Sequence, residues 1–154
     1  MAQRDQNRRV GDAVFSKVEK INSELFSLTY GAIVTQLLKD YEAADATSAQ
    51  LEKMGYNIGI RLVDEFLAKA QINSCQSFAE TADVIAKIGF KMFLGVAAEV
   101  VSTSATEFSL QLESNPLAEF VELPEQYSRL AYSNLLCGVL RGALEMVQMR
   151  VECT

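Results

Sequence analysis

Three cysteines, at positions 75, 137 and 153, and no histidine define the chemistry open to this sequence. Without histidine, neither a Ser–His–Asp nor a Cys–His nucleophile can be assembled, and the commonest metal ligand and general base is missing. The cysteines are too far apart for a zinc motif and form no CxxC pair, so no metal is expected. Phosphate-cradling GxxxxGKS/T and GxGxxG patterns are also absent. Asp64 and Glu65 are adjacent on a helical stretch, point to different faces and read as solvated surface. A thiol enzyme built on Cys75 is the remaining catalytic option. Its thiolate would need a helix N-terminus or a cation to form at neutral pH.

The surroundings of the three cysteines differ. Cys137 lies in the apolar run LLCGVL and reads as core. Cys153 ends an alternating stretch and reads as half-buried. Cys75 sits in AQINSCQSFAET, a polar connector between two helical patterns. A cysteine there is incidental, redox-sensitive or an acylation site. The flanking helices are rich in Ile, Phe, Met and Leu, which could sheathe a fatty chain. At ~0.8 kcal/mol per buried CH₂, a palmitoyl chain would gain about 10 kcal/mol as an upper figure. An empty slot of that size would be costly.

The elements that position this connector follow from hydrophobic spacing. Val14, Val18 and Ile21 predict a first helix over residues 10–21. Asn22 to Glu24 offers an N-cap before LFSLTYGAIVTQLLKDYE, whose Leu25, Leu28, Ile33, Leu37 and Tyr41 define the expected apolar face. Thr47 or Ser48 is the expected cap of the next helix, on which Leu51, Met54, Ile58, Leu62 and Phe66 recur at three and four. Gly55 and Gly59 share a face there, so another backbone or a ligand comes close. Ser77 and Glu80 have the spacing of a capping box. They open a helix through Val84, Ile85, Ile88, Met92 and Phe93, which Gly95 stops. EFSLQLE (107–113) alternates and predicts a half-buried strand before a turn at 114–116. Beyond Pro124, the residues Leu130, Leu135, Val139 and Met146 predict one long buried helix. VQMRVEC (147–153) alternates again and predicts a second strand. Two strands alone are marginal, so the sheet is expected to be completed by a partner chain or to be truncated at the C-terminus.

Composition sets the outer bounds. A chain of 154 residues with 49% hydrophobic and 22% charged residues can bury a sizeable core. Its net charge of −6 suits phosphate backbones poorly, and no nucleic-acid partner is expected. Arg4, Arg8 and Arg9 against Asp5 make a mildly basic tip, read as a solvated tail or as a membrane-surface contact. An odd cysteine count without a signal-peptide pattern fits a reducing compartment. No apolar run approaches the roughly 20 residues of a membrane span. The expected protein is soluble, or attached to a membrane by other means.

INSELFSLTYGAIVTQLLKDYE, MGYNIGIRLVDEFLAK, ETADVIAKIGFKMFLG, NPLAEFVELPE and YSNLLCGVLRGALEMVQM run in this order from roughly Asn22 to Met149. Together they resemble the Bet-type small subunits of the transport protein particle, TRAPP. The resemblance implies an α/β (α+β) fold, a layer of four to five helices packed on a small antiparallel sheet. Residues 1–22 would be an N-terminal tail and first helix, and residues 23–154 a single domain. It implies a non-catalytic adaptor subunit of a vesicle tether acting between endoplasmic reticulum and Golgi. Such a subunit pairs with sister small subunits through helices and supports nucleotide exchange on a Rab-type GTPase. It is cytoplasmic and peripheral on early (cis) Golgi and endoplasmic reticulum-derived membranes.

The resemblance also bears on the connector. Family members carry an S-acylated cysteine in the loop between the MGYNIG and ETADVIAK helices, with the acyl chain in a hydrophobic channel. Cys75 holds that position here, which implies covalently bound palmitate. Small residues would keep the channel open, and Gly55, Gly59 and Gly89, with Phe93, are the candidate lining. Two departures stand out. VVSTSATEF is shorter than the family's loop and lacks Trp. Family chains also continue past EMVQM with further strands and a charged tail toward the GTPase, so that tail's contact is not carried over. The alternative from another class is a free-standing domain that binds a fatty acyl ligand noncovalently and needs no sister subunit.

Overall fold

A computed structural model describes residues 2–72 and 74–154, with side chains from Asp5 onward. Of the basic tip, Arg8 and Arg9 are exposed, and the Arg4 side chain lies outside the described residues. In chain order the elements are α1 (Ala2–Lys17), α2 (Ser23–Tyr41), α3 (Ala44–Ala70) and α4 (Phe78–Val84). A π-helical turn (Ile85–Gly89), α5 (Phe90–Leu94), β1 (Glu99–Thr103) and β2 (Phe108–Gln111) follow. A 3-10 turn (Glu125–Tyr127) and α6 (Asn134–Met146) complete them. The fold is α+β as expected, with helices and a small antiparallel sheet. The chain divides into two compact units, Met1–Lys20 with Phe66–Pro116, and Ile21–Glu65 with Leu117–Thr154.

The unit of Ile21–Glu65 and Leu117–Thr154 is organised by α2. The Asn22 side chain accepts from the Leu25 N–H at 2.8 Å, which is the expected cap. The buried face differs from most of the expected one: Leu25, Leu28, Ile33 and Tyr41 are exposed and Leu37 packs half-buried against the core, while Ser27, Tyr30 and Val34 are buried. Tertiary packing decides this, because Tyr30 and Val34 are the side chains that meet Leu51, Leu117, Leu130 and Tyr132. The Tyr30 hydroxyl donates to the Tyr132 carbonyl at 2.5 Å, and the two rings meet edge to face with centroids 5.2 Å apart. Burial, and then the neighbouring Tyr132, push the Tyr30 hydroxyl far above its ordinary pKa, so it stays a donor. Tyr30→Phe is expected to cost about 1–2 kcal/mol by leaving a buried carbonyl unpaired. Urea unfolding should show a lower midpoint, and an unchanged one would discount the bond.

Three further expectations are corrected in this unit. The first concerns α3, which begins at Ala44, ahead of both expected caps. Thr47 is fully buried, and the Ser48 hydroxyl donates to the Ala44 carbonyl and accepts from the Ala131 N–H at 3.0 Å. Both side chains therefore work inside the helix rather than at its end. The second is the long helix beyond Pro124, which is broken into a 3-10 turn, further turns and α6. The break lets Leu130 and Tyr132 both enter the core, and Asn134 Nδ2 donates to the Ser48 carbonyl at 2.9 Å. Met146, expected to be buried, is exposed. The third is the strand at 147–153, where the described residues show none. Gln148 turns left-handed (φ 64°) and the Met149 N–H returns to the Leu144 carbonyl at 2.9 Å. Alternation supplies two faces, but a strand also needs a ladder partner.

In the unit of Met1–Lys20 and Phe66–Pro116, α1 ends at Lys17, short of the expected Ile21, and buries Val14. Its Asn7 Nδ2 donates to Asp83 Oδ2 at 2.7 Å, with both residues buried. The helix predicted after Ser77 carries a widened turn, in which the Phe90 N–H bonds back to the Ile85 carbonyl. The Ala86 carbonyl instead accepts from the Ala98 N–H at 2.9 Å, tying the helix to the approach of β1. Gly95 stops the helix as expected, at φ 74°, with its N–H on the Lys91 carbonyl at 3.1 Å.

The sheet pairs β2, the expected strand, with β1, which spacing did not predict. Glu99 faces Gln111 and Thr103 faces Phe108, with a bulge between Val100 and Ser102. Phe108 and Leu110 are half-buried and Ser109 and Gln111 exposed, as the alternation requires. The Phe78 and Phe108 rings, 4.8 Å apart, hold α4 to β2.

Candidate functional site

Cys75 is half-buried in the loop between α3 and α4. On one side, α3 stops at Gln71, a left-handed residue (φ 55°) whose N–H returns to the Leu67 carbonyl at 3.1 Å. On the other side Ser77 caps α4, its hydroxyl accepting from the Glu80 N–H at 3.1 Å. The Glu80 carboxylate reaches back as predicted, but one residue further than a capping box requires. It accepts from the Gln76 N–H at 2.6 Å. The peptide that follows Cys75 is thus held by a charge-assisted bond. The Thr81 hydroxyl straps the same turn by donating to the Ser77 carbonyl at 3.1 Å.

Burial pushes the Cys75 thiol up, a hydrogen bond with Thr81 pulls it down, and the Glu80 carboxylate adds to the rise. The net rise keeps it a thiol at neutral pH, opposite to the thiolate a thiol enzyme requires. Cys137 is half-buried rather than core, like most of its neighbours on α6. Burial, then Glu52, raise its thiol against a backbone hydrogen bond that lowers it. Cys153 is half-buried as expected. Its thiol is raised to about 11 by burial, then by Cys137 and Glu52, with Arg141 opposing. Among the described residues no cluster of His, Cys, Asp or Glu could hold a metal ion.

The candidate lining residues fall in different units. Gly89 and Phe93 share a unit with Cys75, and Gly55 and Gly59 belong to the other. A Cβ on Gly89 would meet only the Phe66 ring edge at 3.9 Å, and Phe93 is 39% exposed. At Gly55 and Gly59 the approaching group is the backbone of α6. A Cβ would lie 2.0 Å from the Leu135 carbonyl oxygen and 2.1 Å from that of Val139. Gly138 and Gly142 reciprocate against the carbonyls of Glu52 (2.0 Å) and Tyr56 (2.4 Å). Sequence reasoning missed this second pair, although its four-residue spacing repeats that of Gly55 and Gly59. It also missed the role of Glu80 beside Cys75, for which the capping spacing was the available signal.

A model of the transport protein particle (TRAPP) component family matches residues 26–154. The chain belongs to the TRAPP component family. It is 65% identical over 149 residues to trafficking protein particle complex subunit 3 of Dictyostelium discoideum, covering 95% of this chain and 80% of that one. It is 44% identical over 138 residues to the subunit 3 homolog of Caenorhabditis elegans, covering 86% and 76%. The crystal structure of a trafficking protein particle complex subunit 3 from Naegleria fowleri matches with a TM-score of 0.82 and 56% identity, covering 87% of this chain and 84% of that one. That relative is described as covalently bound to palmitic acid. The five stretches that resembled TRAPP small subunits thus lie in a TRAPP component. Among the described residues, no helix of this TRAPP component is long and apolar enough to cross a membrane.

Proposed function

We propose that this TRAPP component is a non-catalytic scaffold subunit of a vesicle tether and carries palmitate in thioester linkage on Cys75. One observation carries the reading: Cys75 is free and half-buried in the α3–α4 loop of a chain 56% identical to a subunit described as covalently bound to palmitic acid. In this reading the acyl chain turns inward, and Gly89 and Phe93 line its channel. Its burial, at ~0.8 kcal/mol per CH₂, stabilises the fold rather than anchoring a membrane. Gly55 and Gly59 serve instead to seat α6.

An acyl-coenzyme A thioester is the donor. The Cys75 sulfur attacks the acyl carbonyl carbon, a carbon–sulfur bond forms, and the bond to the coenzyme sulfur breaks. The Cys75 proton leaves with the coenzyme thiol. The raised pKa makes the reactive thiolate scarce at neutral pH. That suits an acyl group that is stored, not turned over.

Partnership with sister TRAPP subunits is supported by the outer face of α2 and the residues before it. Ile21, Leu25 and Leu28, spaced four and three apart, are 73%, 64% and 63% exposed. A sister subunit covers this stripe in the assembled tether. The assembly acts in the cytoplasm, peripherally on early Golgi and endoplasmic reticulum-derived membranes, and supports exchange on a Rab-type GTPase.

Intact-mass measurement on the native protein tests the acyl assignment. The expected mass exceeds that of the bare chain by one acyl group, and hydroxylamine removes the excess. Cys75→Ser abolishes it, whereas Cys137→Ser and Cys153→Ser leave it in place. A bare chain that still captures sister TRAPP subunits would overturn the reading. A fatty acid released by organic solvent alone would point to the free-standing lipid-binding domain instead.

A further inference from the structure

The bond from the Gln76 N–H to Glu80 is displaced from the usual capping pattern toward the cysteine. A capping-box carboxylate returns to the N–H of the cap residue itself, here Ser77. The Glu80 carboxylate instead takes the N–H of the preceding residue, at 2.6 Å, while its own N–H is held by the Ser77 hydroxyl at 3.1 Å. The acceptor is thus anchored at both its backbone and its side chain, and what it grips is the peptide unit joining Cys75 to Gln76. Among the described residues of the connector, Gln76 Nε2 also reaches Ser74 Oγ at 3.4 Å, the Thr81 hydroxyl holds the Ser77 carbonyl at 3.1 Å, and Ser74, Gln76 and Ser77 are exposed. A polar loop of this kind samples many backbone states unless something fixes it.

We propose that Glu80 is the positioning residue of the acylation site, its carboxylate fixing the Cys75–Gln76 peptide so that the sulfur is presented in one orientation. The inference rests on the acyl reading of Cys75 and adds the residue that controls it. Fixing the peptide in advance removes an ordering cost that acyl transfer and inward seating of the chain would otherwise meet. A hydrogen-bond acceptor is what the role needs, and a glutamine amide oxygen can supply it. Charge by itself is not required.

The test compares the parent chain with Glu80→Gln and Glu80→Ala, each shown to be folded by its far-ultraviolet circular dichroism and unfolding midpoint. Each is first freed of any resident acyl group with hydroxylamine and then incubated with palmitoyl-coenzyme A, and acyl occupancy of the peptide holding Cys75 is followed by mass spectrometry. Glu80→Gln should acylate within about two-fold of the parent, while Glu80→Ala falls by roughly ten-fold, the scale of lost positioning. In parallel, iodoacetamide should alkylate Cys75 several-fold faster in Glu80→Ala than in Glu80→Gln, because the freed loop exposes the sulfur. Equal acylation in all three chains, or an equal fall in both variants, overturns the proposal. If the parent takes up no acyl group, the acyl reading fails. The clamp is then judged by alkylation alone: equal rates in both variants overturn it, and the faster Glu80→Ala sustains it.

Discussion

Gly138→Ala is expected to lower the thermal unfolding midpoint by about 10 °C, the signature of losing roughly 3 kcal/mol in a chain of this size. The added Cβ would lie 2.0 Å from the Glu52 carbonyl oxygen and 2.7 Å from the Tyr56 nitrogen. Both atoms are backbone of α3, so no side chain can swing away to make room. The helices must separate, and separation also undoes the close approach of Gly142 to Tyr56 and of Gly55 and Gly59 to α6. Four glycines therefore fail together, and the dispersion and weak Cα–H···O contacts along the crossing weaken with them. Alanine's better helix propensity returns only about 1 kcal/mol. Gly31→Ala is the control. Its nearest neighbour would be the Tyr132 hydroxyl at 3.5 Å, an ordinary contact, so only the propensity gain of up to ~1 kcal/mol remains. Its midpoint should rise by about 2–4 °C. Equal shifts in the two variants would refute the account of the crossing.

That crossing shows what the sequence made legible and what it hid. Gly55 and Gly59 announced a close approach from their spacing alone, but spacing does not say who approaches. The answer lies more than 70 residues away in α6 and depends on the tertiary fold. The same limit explains α2. Periodicity found a helix and its Asn22 cap, yet ranked Leu25 and Leu28 as core because they are apolar. The core took Ser27, Tyr30 and Val34, and left outward the apolar stripe that this reading assigns to a sister subunit. Strand β1 escaped because Glu99–Thr103 is short and exposed on most of its length, with no alternation to mark it. The loop cysteine was legible because the pattern around it was local: the end of one helix, a polar connector and a capping pair. The deviation of Glu80 by one residue was not, since a single hydrogen bond leaves no periodic trace.

Lys87→Ala is expected to destabilise by about 3–4 kcal/mol, about 2 kcal/mol from the Ala98 carbonyl left unpaired and the rest from the lost packing of the buried stem. The Lys87 side chain is only 7% exposed. Its ammonium donates to the Ala98 carbonyl at 2.9 Å and pairs with the Glu99 carboxylate. Ala98, itself fully buried, spends its N–H on the Ala86 carbonyl, so Lys87 completes the link between the widened helical turn and β1. Two partial variants separate the contributions. Lys87→Met keeps the apolar stem but leaves the Ala98 carbonyl without the ammonium, and should cost about 2 kcal/mol. Glu99→Gln removes the charge partner alone. Because that carboxylate is 64% exposed, water screens the pair, and the loss should stay below about 1 kcal/mol. Urea unfolding of the three variants should therefore rank Lys87→Ala as the most damaging and Glu99→Gln as the least. If Glu99→Gln proved as damaging as Lys87→Ala, the ion pair rather than the bond to Ala98 would be what joins helix to strand. The buried carbonyl would then have to find its partner in water.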